Sequence, residues 1–323
     1  MGETKIQDQT EDEKKPSGKG HAWLEFFRIT NAPSVPGDAI AGAALGYLLF
    51  PGIPVSWITI VGAGLAALGF YLAGLADNDI VDAEEDAVNS PQRPIPSGRI
   101  SLGAARLARF IAFIVAFMIG IAAKLPATWF IAAAILSIAI LTYNRIKGRY
   151  PRFGAVVMGL CRGGSVFTGL LALVPPLTSV VVPALILVVG WTAYVTSLTI
   201  LAAHEHKARD PLPASRFLPG LTALIPALVL CLPNFTAHRG AMMFILCGCI
   251  VTFASWCLAV APLGHPHTPE MRRRAVGMTI GALLYLQAGF ALATECSPFE
   301  LIIAACFLGR LIARHTAPTI TGS

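Results

Sequence analysis

Apolar runs of about 17 to 25 residues recur along this chain and restrict its fold more than any other feature. A run of that length matches a helix crossing the ~30 Å hydrocarbon layer of a bilayer. In lipid every backbone N–H and C=O must be paired within the protein, so spanning structures are helices or closed barrels. The period-2 alternation of a barrel strand is absent. Candidate spans fall at 34–50, 55–75, 102–123, 127–143, 154–174, 180–203, 217–233, 241–261 and 275–293. A shorter run at 298–313 carries Arg310 and fits either a tenth span or an interfacial helix. Composition agrees: 13% of residues are charged and 55% hydrophobic, against roughly 25% charged in a soluble domain. The sequence therefore predicts an all-α, polytopic transmembrane bundle of nine or ten spans.

The charges sort by side. Connections after the first, fifth and ninth spans are short and carry no Lys or Arg, whereas those after the second, fourth, sixth and eighth are long and basic. All but Lys124, Arg162 and Arg239 of the 24 Lys and Arg residues fall on one side of the membrane. The positive-inside rule makes that side cytoplasmic, together with the N-terminus and the acidic loops. Residues 1–24 mix both charge signs without an apolar core, and read as a disordered cytoplasmic tail rather than a signal peptide. Residues 25–315 then form the membrane domain and 316–323 a C-terminal tail. The net charge of +6 follows from the loops and gives no sign of a nucleic-acid partner. The seven cysteines are scattered through apolar segments without a CxxC pair, as packing residues are.

One polar cluster stands out. The second span runs into Asn78-Asp79-x-x-Asp82-x-x-x-Asp86. If the helix continues, these four residues share one side over two turns. Carboxylates at that spacing repel, and near a membrane interior they usually serve a purpose. A divalent cation would remove the repulsion. Mg²⁺ suits the set, since it takes one or two carboxylates and completes its octahedron with water and phosphate oxygens. A solvated acidic loop is the plainer alternative, because Asp77, Glu84 and Glu85 lie off that face. Directly after the cluster comes Pro91-Gln92-Arg93-Pro94-Ile95-Pro96-Ser97-Gly98. Its prolines stop the helix and set a turn that can bring Arg93, a bidentate phosphate ligand, back toward the carboxylates.

The acidic motif with its Arg-Pro-Ile-Pro-Ser-Gly turn resembles the first aspartate-rich motif of the UbiA family of intramembrane prenyltransferases. Arg28-Ile-Thr-Asn31 is similar to that family's entry into its first helix, and Tyr143-Asn-Arg-Ile-Lys147 to the end of its fourth. The likeness extends over about residues 25 to 295. It implies Mg²⁺ held by Asn78, Asp79, Asp82 and Asp86, and an allylic isoprenyl diphosphate held by Asn31, Arg93 and Lys147. Tyr143 is expected to face the site. Asp79, Asp82 and Lys147 are expected to carry the catalysis. The prenyl group would pass to a small aromatic or lipid-like acceptor within the bundle, which the sequence does not name, and the surrounding partner is membrane lipid.

The family's second aspartate-rich motif is missing. The corresponding loop reads His204-Glu205-His206-Lys207-Ala208-Arg209-Asp210, and Glu205 is its one acid in a plausible position for substrate binding. Glu205 and Asp210 lie about 140° apart around a helix. The two histidines lack further ligands for zinc. This departure keeps a second reading open: a non-catalytic carrier of an isoprenoid or pathway intermediate on the same scaffold. Arg162, inside the fifth span, is a further substrate-binding candidate, with snorkelling to the surface as its alternative. Thr192, Thr196 and Thr199 either line a cavity or pack between helices.

Overall fold

The computed structural model describes residues 19–29, 32–50, 52–174, 181–202, 218–230, 246, 248–250, 252–253 and 269–321. Among them every regular element is a helix. In chain order these are α1 (Lys19–Phe26), a 3-10 turn (Ala32–Ser34), α2 (Pro36–Leu49), α3 (Trp57–Val81) and α4 (Ala83–Asn89). They continue as α5 (Leu102–Ala122), α6 (Ala127–Ile146), α7 (Pro151–Leu173), α8 (Val181–Ala202), α9 (Leu218–Leu230), α10 (Pro269–Ala293) and α11 (Ser297–Thr321). Five of them, α3 and α5 to α8, are long and apolar enough to cross a membrane. Most of the candidate span at 241–261 lies outside the described residues.

Local chemistry sets the helix starts. Ser56 and Ser101 cap α3 and α5, their hydroxyls accepting from the Ile58 and Ala104 N–H groups at 3.2 Å. Pro36 and Pro151 open α2 and α7, where a missing N–H costs nothing. Lys19–Phe26 is helical where the sequence reads as tail. Trp23, Phe26 and Phe27 stack on one another there, and Phe26 is buried. At the other end α11 continues to Thr321, past the boundary at 316 expected from hydropathy.

The helices are apolar outside as well as inside. On α5, Leu107, Phe110, Ile111, Ile114, Met118 and Ile121 are all exposed. This is a stripe of helical period facing outward, a surface that lipid solvates and water does not. Inside, α2 sits between α3 and α7, and α7 also packs on α6 and α8. The α2–α7 seam is closed to backbone distance. A Cβ on Gly169 would fall on the Ala39 carbonyl, and one on Gly42 on the Val166 carbonyl. Such small-residue contacts hold helices together where lipid gives no hydrophobic drive. Gly169→Val is expected to force the seam apart and to cost at least the ~1–3 kcal/mol of a typical overpacked core. A thermal unfolding midpoint in detergent equal to that of the wild type would show that the seam yields freely.

Candidate active site

The C-terminal end of α3 carries the acidic motif, and the helix does not break through it. Asp82 joins α3 to α4 with φ −84° and ψ −1°, slightly off helical. The ladder nonetheless continues, with the Asp82 N–H donating to the Asn78 carbonyl at 3.0 Å and the Asp86 N–H to the Asp82 carbonyl at 2.8 Å. Asn78, Asp79, Asp82 and Asp86 therefore keep a common side.

Each carboxylate on that side meets a cation from another segment. Arg28 Nη2 lies 2.6 Å from Asp79, Lys147 Nζ 2.5 Å from Asp82, and Arg93 Nη1 2.6 Å from Asp86. Lys147 also donates to the Asn78 amide oxygen at 2.5 Å. The Asn78 amide nitrogen in turn donates to Asp79 at 3.3 Å and to Asp82 at 3.1 Å. Three chain segments thus converge on one face: the α1–α2 connection, the proline turn and the end of α6. The proline turn is tied down by the Ile100 N–H donating to the Pro94 carbonyl at 2.9 Å. Arg99 fastens it to α1 through Glu25 at 2.7 Å. Arg28 sits at φ +42°, the left-handed region that a non-glycine residue occupies at a cost of about 1 kcal/mol or more. The observed gain at that position is the Asp79 ion pair.

Asp77 has another job. It points away from its neighbours and is fully buried, 2.6 Å from Arg109 of α5 and 3.4 Å from Arg145 of α6. The Asn144 amide donates to it at 3.0 Å and to the Gly74 carbonyl at 3.1 Å. Asp77 thereby clamps α3 to α5 and α6 and fixes where Asn78 and Lys147 meet. Counted as part of a charge run in the sequence, it gave no signal of this, because its partners lie far along the chain.

A cavity of about 200 Å³ opens beneath the acidic face. Arg28, Asn78 and Tyr143 line one end, and Phe70, Leu136 and Ile140 are among its walls. Asp38 and Arg162 line it further in, forming an ion pair at 2.7 Å. Asp38 was not singled out in the sequence. Cys161 also lines the cavity, and it, Cys249, Cys296 and Cys306 are unbridged. Thr192 and Thr196 instead face α7, against Gly163 and Gly159. Asn31, Glu205 and the histidines beside Glu205 lie outside the described residues.

Among the described residues no three Asp, Glu, His or Cys side chains converge as a ready-made metal cage. The donor set still suits Mg²⁺ delivered with a diphosphate, which needs only one or two protein carboxylates. Asp79 and Asp82 both accept from a single Asn78 nitrogen, so the two carboxylates are turned toward one point.

The sequence of the UbiA prenyltransferase family matches residues 39–273. A digeranylgeranylglyceryl phosphate synthase from Methanothrix thermoacetophila is 30% identical over 75% of this chain and 80% of its own length. One from Sulfolobus acidocaldarius is 30% identical over 51% of this chain, and the match spans only 57% of that relative. In fold, the chain is similar to a digeranylgeranylglyceryl phosphate synthase in membranes, with TM-score 0.61, 18% identity, and coverage of 86% of this chain and 99% of that one. It is also similar to a UbiA homologue from Archaeoglobus fulgidus bound to DMAPP and Mg²⁺, with TM-score 0.56, 13% identity, and coverage of 85% and 100%. With the family's sequence running through most of its length and its helices arranged as in the solved members, the chain belongs to the UbiA prenyltransferase family.

Proposed function

We propose that this protein is an intramembrane prenyltransferase, which moves a prenyl group from an allylic isoprenyl diphosphate to a small acceptor in a Mg²⁺-dependent reaction. The observation that carries the reading is the pairing of an acidic face with three cations at the mouth of an apolar cavity. Arg28, Arg93 and Lys147 bind the diphosphate by turning from carboxylate to phosphate oxygens, a trade that keeps each cation paired. Asn78, Asp79, Asp82 and Asp86 would hold Mg²⁺, which would supply positive charge against the leaving group. The C1–O bond of the prenyl diphosphate breaks with its electron pair on the diphosphate. A bond from the acceptor to C1 replaces it, and the acceptor's proton passes to the departing diphosphate. Tyr143 presents its ring toward the cationic carbon, and the apolar walls keep water from capturing it.

The bundle is read as nine or ten spans, with the N-terminus and the acidic and basic loops in the cytoplasm. The bias of Lys and Arg to one side supports this orientation. The test of function is release of diphosphate from labelled geranylgeranyl diphosphate by the protein in lipid nanodiscs. Release that requires Mg²⁺ and stops with EDTA is the expected result. Binding without release would favour the carrier reading, which the missing second aspartate pair motivates.

A further inference from the structure

We propose that the inner end of the cavity is an acceptor subsite for an uncharged oxygen-bearing head group, a hydroxyl or carbonyl. Arg162 is the recognising residue and Asp38 positions and neutralises it. The proposal rests on the prenyltransferase reading for the word acceptor, but its geometry is independent of it.

Asp38 lies in the first turn of α2 and is fully buried. Its carboxylate forms an ion pair with Arg162, whose Nε lies 2.7 Å from one oxygen without a hydrogen bond to it. On the other it receives Arg162 Nη2 at 3.1 Å, Trp191 Nε1 at 3.1 Å and Gln287 Nε2 at 2.7 Å. The donors come from α7, α8 and α10, so four helices meet at one carboxylate. A carboxylate so heavily engaged is a clamp rather than a base. Its partner is not used up. A guanidinium has five N–H donors, Asp38 engages Nε and Nη2, and the Arg162 side chain borders the cavity.

A purely structural ion pair would be sealed in protein on every side, and this one faces open volume. Ser165, one turn further along α7, borders the same cavity, and its buried hydroxyl has no hydrogen-bond partner. A buried polar atom without a partner is uncommon and asks for a ligand or water. Arg162 and Ser165, at i and i+3, thus form two polar arms on one face of α7.

The charge balance selects the ligand. Arg162 and Asp38 cancel, and Phe70, Leu136 and Met158 around them carry no charge. An anion entering here would be desolvated with no net positive charge to meet it, whereas a neutral oxygen would accept from Arg162 at little cost. At the other end Arg28, Arg93 and Lys147 are each matched by a carboxylate too, and the Mg²⁺ that would accompany a diphosphate supplies the extra positive charge an anion needs there. The α3 residues that line the cavity run from Ala67 to Asn78, roughly 16 Å of helix. A cavity of that length leaves room for an elongated acceptor, up to about two rings, between Arg162 and Asn78.

Two probes with one skeleton test this: neutral 6-hydroxy-2-naphthaldehyde and anionic 6-hydroxy-2-naphthoate. Their binding to the full chain in nanodiscs is measured by equilibrium dialysis at pH 7.5, with binding of Mg²⁺ and inorganic diphosphate read separately. The wild type is expected to bind the aldehyde about tenfold tighter than the carboxylate. Asp38→Asn leaves Arg162 uncompensated and should invert that order. The double variant Asp38→Asn with Arg162→Gln, which leaves no charge to bury, should lose about tenfold in aldehyde binding while Mg²⁺-diphosphate binding is unchanged. Wild-type protein that binds the carboxylate as well as the aldehyde, or a double variant that keeps wild-type aldehyde affinity, overturns the proposal. Failure of Mg²⁺-diphosphate to bind the wild type would overturn the prenyltransferase reading instead, and leaves the two-probe comparison to decide the subsite.

Discussion

Asp82→Ala is expected to lower prenyl transfer about 100-fold or more, and Asp79→Ala by a similar factor, the usual loss when one group that stabilises developing charge is removed. The fold should hardly notice Asp82. Its side chain and that of Lys147 are each 20% exposed, and such a pair at the water's edge contributes under about 1 kcal/mol. The two readouts therefore separate. Transfer measured with labelled prenyl diphosphate collapses, while the unfolding midpoint stays near that of the wild type. Lys147→Ala extends the argument. If Lys147 serves only to hold Asp82, the double variant is no worse than either single one. If Lys147 binds phosphate while Asp82 binds metal, the losses compound, and a double-mutant cycle distinguishes the two. Unchanged transfer in Asp79→Ala and Asp82→Ala would end the metal-site proposal.

Asp77→Ala carries the second large effect, and it falls on stability first. The carboxylate is fully buried between Arg109 and Arg145. Removing one member of a buried ion pair costs about 3–5 kcal/mol because the partner charge is stranded. Arg145 is 54% exposed and can return to water, so the expected cost lies at the lower end, about 3 kcal/mol. Transfer should fall as well, because the clamp fixes the angle at which α3 presents Asn78 to Lys147. Asp77→Asn keeps the shape and one acceptor, and should recover part of the stability. Chemical unfolding of both variants in detergent reads the difference, and an unfolding free energy within error of wild type for Asp77→Ala would refute the clamp.

Hydropathy made the helices legible because lipid imposes a length and a polarity that a short stretch of chain must satisfy alone. α3, α5, α6, α7 and α8 are visible that way. The limits are visible too. Nothing in the hydropathy says that α2 begins at Pro36, just after the 3-10 turn Ala32–Ser34, or that it is only 14 residues long. The family was legible because its motif is local: four polar residues and a proline turn within 21 positions of chain. Arg162 was conspicuous as a charge inside an apolar run. Asp38 was not singled out, although it too falls inside an apolar run, at 34–50. Its meaning lies in Arg162, Trp191 and Gln287, which are 124, 153 and 249 positions away. Contacts at that separation are set by how helices pack, and single-sequence patterns do not carry them.

The glycine seams bear on how a substrate gets in. Behind the cavity-lining residues of α2 and α7 those helices meet at Gly42 and Gly169, and α7 meets α8 at Gly159 and Gly163. Between α2 and α7 backbone meets backbone with no side chain to swing aside, and between α7 and α8 only the short Thr192 and Thr196 side chains intervene beside backbone. Passage there would require whole helices to part, a microsecond-to-millisecond event, rather than a rotamer to turn in nanoseconds. That side is shut on the timescale of lipid diffusion. Membrane-dissolved molecules that exchange quickly with the cavity must enter where side chains, and not backbones, form the door.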